Sequence, residues 1–359
     1  MPRMKLKALP IQIIRLEDGI LLKRGCTEVK VPDDGSIGMV ARVLTLAGQN
    51  GVTREEISNQ FSPDEHQAAE NLIDLLLAGH LLVPSEITEP ALKIPESSLD
   101  IFYWHFGVSA DQAATRLNMR KLVIMGVNSI SRHLVSSFTD SGVENFQVVD
   151  DPWMRNPDLF DDGGNLLEGR WSPNISEPVK LSDWEKQIDP LSVNCIIACS
   201  DLGTHQGIRD CNAFCVKNRC HFLPVVLQDL IGYVGPLVVP GETACYECLR
   251  QRQNAHMKDP GVERASEIIT STGRKAVGFH PSMPSVLGEI ASFELTRLYS
   301  DALPFRNIGT QIQVNLLTSE MMKRKVLKVP RCAVCSPLAI RSSTTSYKSN
   351  FSPRGGRAN

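Results

Sequence analysis

Between residues 6 and 83 the apolar positions fall into short clusters whose spacing changes character along the chain. Ile11 to Ile14, Ile20 to Leu22 and Thr27 to Val31 come first, with Asp18-Gly19 and Arg24-Gly25 between them as turn signals. Val29 and Val31 alternate with Glu28 and Lys30, the period of a strand with one buried face. From Ser36 the period lengthens: Ile37, Val40, Val43, Leu44 and Leu46 share a helical face, and Gly48 ends the run. Thr53-Arg-Glu-Glu56 has the capping-box pattern and opens a short helix carrying Ile57 and Phe61. A third helix is predicted from Pro63 to Ala78, with Ala69, Leu72, Ile73 and Leu76 on one face and Gly79 as its stop. Leu81 to Val83 returns as a short strand. Strands, three helices and a closing strand describe a winged-helix-like module.

Pro84, Pro90 and Pro95 among polar residues mark 84–98 as a linker, and Ile101 to Met119, with Tyr103, Trp104 and Phe106, is expected to pack the two domains together. The pattern then alternates between strand and helix. Lys121 to Gly126 is an apolar strand ending at glycine, Ser131 to Phe138 a helix, and Phe146 to Val149 a second strand followed by Asp150 and Asp151. Residues 151–178, rich in Pro, Gly, Asn and Trp, form an irregular excursion. Asn194 to Ala198, a helix over 205–217 and Phe222 to Val226 continue the alternation, which predicts a mostly parallel sheet of Rossmann type. The expected organisation is therefore an N-terminal module over 1–90, a linker and packing helix over 91–120, an α/β domain over 121–338 and a disordered tail over 339–359.

Composition narrows the function classes. The 359 residues suffice for two or three domains, and 42% hydrophobic with 22% charged residues is ordinary for a globular protein. A formal net charge of −2 gives no electrostatic reason to expect nucleic acid or an anionic membrane, and the predicted module lacks a basic recognition helix. No apolar run approaches the roughly 18 residues of a membrane span. The basic start Met1-Pro2-Arg3-Met4-Lys5 lacks a secretory h-region, so the chain is expected in the cytoplasm.

Four of the ten cysteines form two C-x-x-C pairs, Cys245/Cys248 and Cys332/Cys335. Thiolates favour zinc, and two such turns supply the four sulfurs that a closed tetrahedral site requires. Four sulfurs leave no position open for water, so the expected Zn²⁺ is structural, stapling the chain near residue 335 to the α/β core. The other six follow no framework spacing and read as small buried hydrophobes.

A Rossmann-type turn holds phosphate through glycines that let the backbone approach the oxygens. Here the turn reads Gly126-Val-Asn-Ser-Ile-Ser131, and only its first glycine is present. Asn128, Ser129 and Ser131 crowd the space of a pyrophosphate, which argues against ATP on this chain. Asp150 has the position of a ribose ligand and Asp201 that of a Mg²⁺ ligand; each equally suits a plain strand-end cap. His221 and His280 read as packing and loop residues.

Together these pieces resemble the ThiF-like, ubiquitin-activating-type fold, in its branch from ribosomal peptide natural-product biosynthesis. The residues that carry the resemblance are Val234-Gly-Pro-Leu-Val-Val-Pro-Gly-Glu-Thr-Ala-Cys-Tyr-Glu-Cys-Leu-Arg250, the stretch from His280 to Leu295, and Cys332-Ala-Val-Cys335. They are similar to the leader-peptide-binding partners of azoline-forming cyclodehydratases, and the N-terminal module resembles PqqD-like peptide-recognition domains. The resemblance implies a division of labour. This chain would bind a precursor's leader, and a YcaO-type partner would use ATP to close Cys, Ser or Thr side chains into azolines, with a flavin dehydrogenase as a further partner. Leader capture would add a strand at Thr27, Val29 and Val31, against a groove wall of Leu72, Leu75 and Leu76. Homodimerisation follows by fold analogy alone. The alternative is a stand-alone ThiF-type enzyme that adenylates a peptide carboxylate. Active members of that type carry a glycine-rich loop and an arginine soon after the acidic strand end; here the loop keeps only Gly126, and Arg155 follows Asp150.

Overall fold

The computed structural model describes residues 4–33, 35–48, 51–85, 97–171, 177–256, 261–262, 265, 278–304 and 306–338. The predicted tail over 339–359 and most of the predicted linker lie outside these residues. The chain divides into two compact units: Met1–Ala114 with Ser300–Leu303, and Thr115–Tyr299 with Pro304–Asn359.

In the first unit, β1 (Lys5–Ala8) lies between β5 (Val52–Thr53) and β6 (Leu82–Pro84) in a small antiparallel sheet. A second antiparallel sheet holds β2 (Gln12–Leu16), β3 (Gly19–Arg24) and β4 (Thr27–Pro32) in the order β2-β3-β4. The alternation of β4 does what its period requires: Val29 and Val31 are buried while Glu28 and Lys30 face out. Against these sheets pack α1 (Ser36–Leu46), α2 (Arg54–Ser58) and α3 (His66–Ala78), which bury Val40, Val43, Ile57, Ala69, Ile73 and Leu76 together with Leu6 and Leu22. The capping box at Thr53 is formed: its hydroxyl accepts from Glu56 N–H while the Glu56 carboxylate accepts from Thr53 N–H. The third helix starts at His66 rather than Pro63, because Ser62 to Glu65 makes a separate turn. The segment expected as one packing helix is two, α4 (Ser98–Trp104) and α5 (Ala110–Asn118), divided at Gly107 with φ 76°.

The second unit is built on an eight-stranded sheet. Its parallel part joins β7 (Leu122–Met125), β8 (Phe146–Asp150), β9 (Val179–Lys180), β10 (Cys195–Ser200) and β11 (His221–Gln228). Three antiparallel strands that the alternation did not predict extend it: β12 (Ile231–Val234), β13 (Thr310–Asn315) and β14 (Glu320–Lys325). The order is β14-β13-β12-β11-β10-β7-β8-β9.

The helices are α6 (Ser129–Asp140), α7 (Leu181–Gln187), α8 (Gln206–Asn218), α9 (Tyr246–Asn254) and α10 (Ser282–Tyr299). Both faces of the parallel strands are covered, which explains their unbroken apolar runs: Leu122 and Ile124 join one core, Val123 and Met125 the other. α10 lies directly on α6 at Gly288, where a Cβ would stand 2.9 Å from the Leu134 amide nitrogen. Among the described residues no helix is long and apolar enough to cross a membrane.

Candidate functional site

Three places come from the residues singled out by sequence. The first is the cysteine centre. Cys245 is the N-cap of α9 and Cys248 sits in its first turn, so one C-x-x-C opens a helix; Cys332 and Cys335 lie in a turn beyond β14. The four sulfurs all lie within 4.8 Å of one another, with separations of 3.9 Å for Cys245–Cys248, 3.7 Å for Cys245–Cys332 and 3.4 Å for Cys248–Cys335. A tetrahedron with metal–sulfur bonds of about 2.3 Å has edges of about 3.8 Å, so the set fits one ion. Three of the four are fully buried, and the Val329 N–H donates to the Cys248 sulfur at 3.4 Å. Arg252 donates to the carbonyls of Leu327 and Lys328, which ties the second cysteine segment to α9 through protein groups as well.

The second place is the crevice at the carboxyl ends of β7, β8 and β10. Strand order reverses at β7, whose neighbours β8 and β10 continue to opposite sides, and such switch points are where open α/β sheets bind ligands. Gly126, Asp150 and Asp201 do converge on this crevice, but protein atoms fill it. A Cβ at Gly126 (φ 99°) would stand 2.6 Å from the Cys199 carbonyl oxygen and 2.8 Å from Met154 Cβ. The Asn128 side chain bridges the gap: Nδ2 donates to the carbonyls of Cys199 (2.7 Å) and Met154 (2.9 Å), and Oδ1 accepts from Ser131 N–H (3.0 Å). The Asp201 carboxylate accepts from Ser129 N–H (2.9 Å) and from Asn156 Nδ2 (2.8 Å). Two of the donors at the start of α6, the Ser129 and Ser131 amides, are thus answered by side chains of the protein, one of them a carboxylate.

Asn128 and Asp201 are 0% and 1% exposed. Burial pushes the Asp201 carboxyl up, opposed by the bonds from Asn156 and Ser129. Asp150 is committed too: Arg155 grips both its oxygens, Nε to Oδ1 at 2.6 Å and a terminal nitrogen to Oδ2, while its guanidinium lies 4.4 Å from the centre of the Phe160 ring. Sequence reasoning anticipated crowding at this loop and missed its form. The signal for it was Asn128 three residues before Ser131, a capping pattern that uses the side chain locally.

The third place is the free edge of β4. Among the described residues β4 pairs with β3 alone, so its outer edge presents unpaired main-chain groups. The C-terminal end of α3 meets the start of β4: a Cβ at Gly79, just past the helix, would touch Thr27 Cγ2 at 3.3 Å. Leu75 is 48% exposed, Leu72 is half-buried and Ala68 is exposed, an apolar stripe along the accessible side of the helix. The side-chain expectations separate here. Leu76 is not a groove wall; it is fully buried in the core, and Val29 and Val31 are largely buried there too, because the one-face pattern of strand and helix points them inward. Thr27 bonds His105 Nδ1 through its hydroxyl at 3.2 Å.

No protein-family model matches the chain, and it has no significant match among curated proteins. Solved structures share its fold. Escherichia coli MccB with ATP superposes with a TM-score of 0.64 at 16% identity, covering 92% of this chain and 99% of MccB. The microcin C7 biosynthetic enzyme MccB in complex with N-formylated MccA gives 0.66 at 16%, covering 93% and 100%. The heterocyclase TruD gives 0.59 at 16% and covers 93% of this chain, which spans only 43% of TruD. At these identities the likeness is one of fold: a mixed α/β architecture with a parallel-rich sheet, similar to that of MccB.

Proposed function

We propose that this protein binds the leader of a ribosomally made precursor peptide as a strand added to β4, with Leu72 and Leu75 of α3 gripping its side chains. It then presents the core to a YcaO-type partner that carries out ATP-dependent cyclodehydration of Cys, Ser or Thr to azolines. The observation that carries this reading is the contrast between an open strand edge in the unit that also exposes Leu75 and a crevice occupied by the side chains of Asn128 and Asp201. Strand addition draws affinity from main-chain bonds and register from side-chain contacts; the open edge of β4 supports the first and the exposed Leu75 the second. The relatives support it: MccB has been solved holding MccA, and TruD is named a heterocyclase that extends well beyond the region this chain matches. The N-terminal unit would then be a PqqD-like recognition domain, with a cytoplasmic assembly of homodimer, YcaO-type enzyme and flavin dehydrogenase around it. The cysteine centre would hold one structural Zn²⁺, the ion best suited to four buried thiolates in a closed tetrahedron.

The test is binding of the leader of the precursor encoded beside this gene, labelled with fluorescein, to the full-length protein. Saturable binding that Leu75→Asp weakens, without loss of thermal stability, is the expected result. Equal affinity of wild type and variant removes the groove.

A second reading has one observation in its favour: the chain spans nearly all of MccB, which has been solved with ATP. Under it this protein would adenylate a peptide carboxylate by itself, and the side chains of Asn128 and Asp201 would have to leave the crevice first.

A further inference from the structure

One cavity belongs to neither the crevice nor the β4 edge. It is an open cleft of about 810 Å³ on the second unit, between the β11–β12 turn at Asp229-Leu230, α9 and the β13–β14 hairpin. It continues inward to a narrow hollow, the two sharing Gln228, Tyr233, Arg250 and Gln253. The floor is polar and nearly sealed: His205, Arg250 and Gln311 are 3%, 4% and 5% exposed. The floor is also organised, since His205 Nδ1 bonds the Tyr246 hydroxyl at 2.7 Å and Arg250 donates to Gln253 Oε1 at 2.9 Å. Burial, with the charges of Arg250 and Arg209 behind it, lowers the His205 pKa to about 3, so the imidazole stays neutral.

The lining states what would be recognised. Arg250 and Arg324 line the cleft and Asp229 is the one carboxylate in its lining, so the lining leans towards an anion. Among the described residues the Arg324 guanidinium contacts the Met322 sulfur at 3.8 Å and pairs with no carboxylate. A guanidinium fork matches a carboxylate in a plane. Gln228, Gln253 and Asn315 offer side-chain amides, the groups that pair with peptide bonds, and Leu230 and Leu317 give apolar contact at the rim, where they are 42% and 71% exposed.

We propose that this cleft is a second peptide site, seating a carboxylate, either a C-terminal carboxylate or an acidic side chain, on an extended segment of the peptide. This rests on the reading of the chain as a peptide-binding protein but uses different residues, on the second unit alone.

Saturation-transfer NMR on the full chain tests this with four probes: Ac-Gly-Leu-Ser-Leu with a free C-terminus, its C-terminal amide, Ac-Gly-Leu-Glu-Leu amide, and ADP. A free-acid advantage of about tenfold over the amide is expected, with the glutamate peptide showing which source of carboxylate the cleft accepts. Arg324→Gln should remove most of that advantage. Leu317→Asp, at an exposed rim position, should weaken the acid peptides with folding intact, whereas Leu75→Asp on the other unit should leave them unchanged. Binding of the serine peptide amide as tight as that of both carboxylate-bearing peptides overturns the proposal, as does carboxylate-dependent binding that ignores Arg324→Gln, ADP bound in place of the peptides, or no carboxylate-dependent binding up to about 10 mM. Loss of leader binding at β4 leaves these outcomes readable, so the two readings fail separately.

Discussion

The crevice at β7 and the edge of β4 are both places where a fold leaves backbone donors facing outward, and they are finished in opposite ways. At the crevice Asn128 and Asp201 answer the first amides of α6, and Asn128 takes the carbonyls of Cys199 and Met154 as well. At β4 the outer edge has no partner among the described residues, and the same unit leaves Leu75, a large apolar side chain, half in solvent. A site that satisfies its own polar groups is stable and has little left to offer a ligand. One that leaves them unpaired beside an apolar stripe is unfinished until something pairs with it. The difference, more than the shared fold, is what the proposed peptide-binding role rests on.

The comparison can be broken at several points. The largest effect is expected from Cys248→Ser. The variant should lose nearly the whole equivalent of bound zinc measured by plasma spectrometry, and its melting temperature should fall by about 10 °C or more. Leader affinity measured well below that temperature should change little, because β4 and the cysteines belong to different units.

Asn128→Ala comes next. It strands two buried carbonyls and the Ser131 amide, so urea unfolding should show a loss of about 2–4 kcal/mol. A loss below about 0.5 kcal/mol would mean that Asn128 does not plug the crevice.

Leu75→Asp should weaken leader binding by about 30-fold or more, by fluorescence polarisation, and shift the melting temperature by no more than about 2 °C.

The smallest effect concerns charge. Burial raises the Asp151 carboxyl from its ordinary 3.8 to about 6, with the Trp153 N–H bond opposing. Its folded pKa lies above its unfolded one, so below pH 4, where the carboxyl is protonated in both states, it costs folding almost nothing; the cost of burying its charge grows between pH 4 and 6 and is complete above pH 6. Asp151→Asn should therefore stabilise by about 2 kcal/mol at pH 7.5 and by almost nothing at pH 4, read from urea midpoints at both values.

Much of the first unit was legible because its signals are local. The turn glycines, the alternation at Val29 and Val31 and the Thr53 cap each act within a few residues. The βαβ core of the second unit was legible for the same reason, and the paired C-x-x-C turns proposed a meeting of segments that the structure places within metal-ligand distance. Three things were not. The pairing of β12 with β13, which builds β12 to β14 into the sheet, joins Ile231 to Asn315 far along the chain, and no periodicity reveals it. Leu76 and Leu75 are neighbours of equal hydrophobicity, and only the packing of α3 sends one to the core and the other to solvent. The commitment of Asp150 to Arg155 depends on how the irregular segment after β8 folds back, which a spacing of five residues does not disclose.

Pyrophosphate–ATP exchange by the purified full-length protein, with and without its precursor peptide, tests the central claim most directly. With the α6 donors and the acidic strand ends already engaged by protein groups, exchange should stay at background in both cases while the peptide binds saturably. Peptide-stimulated exchange by this chain alone would show that the crevice opens and works, and would contradict the division of labour.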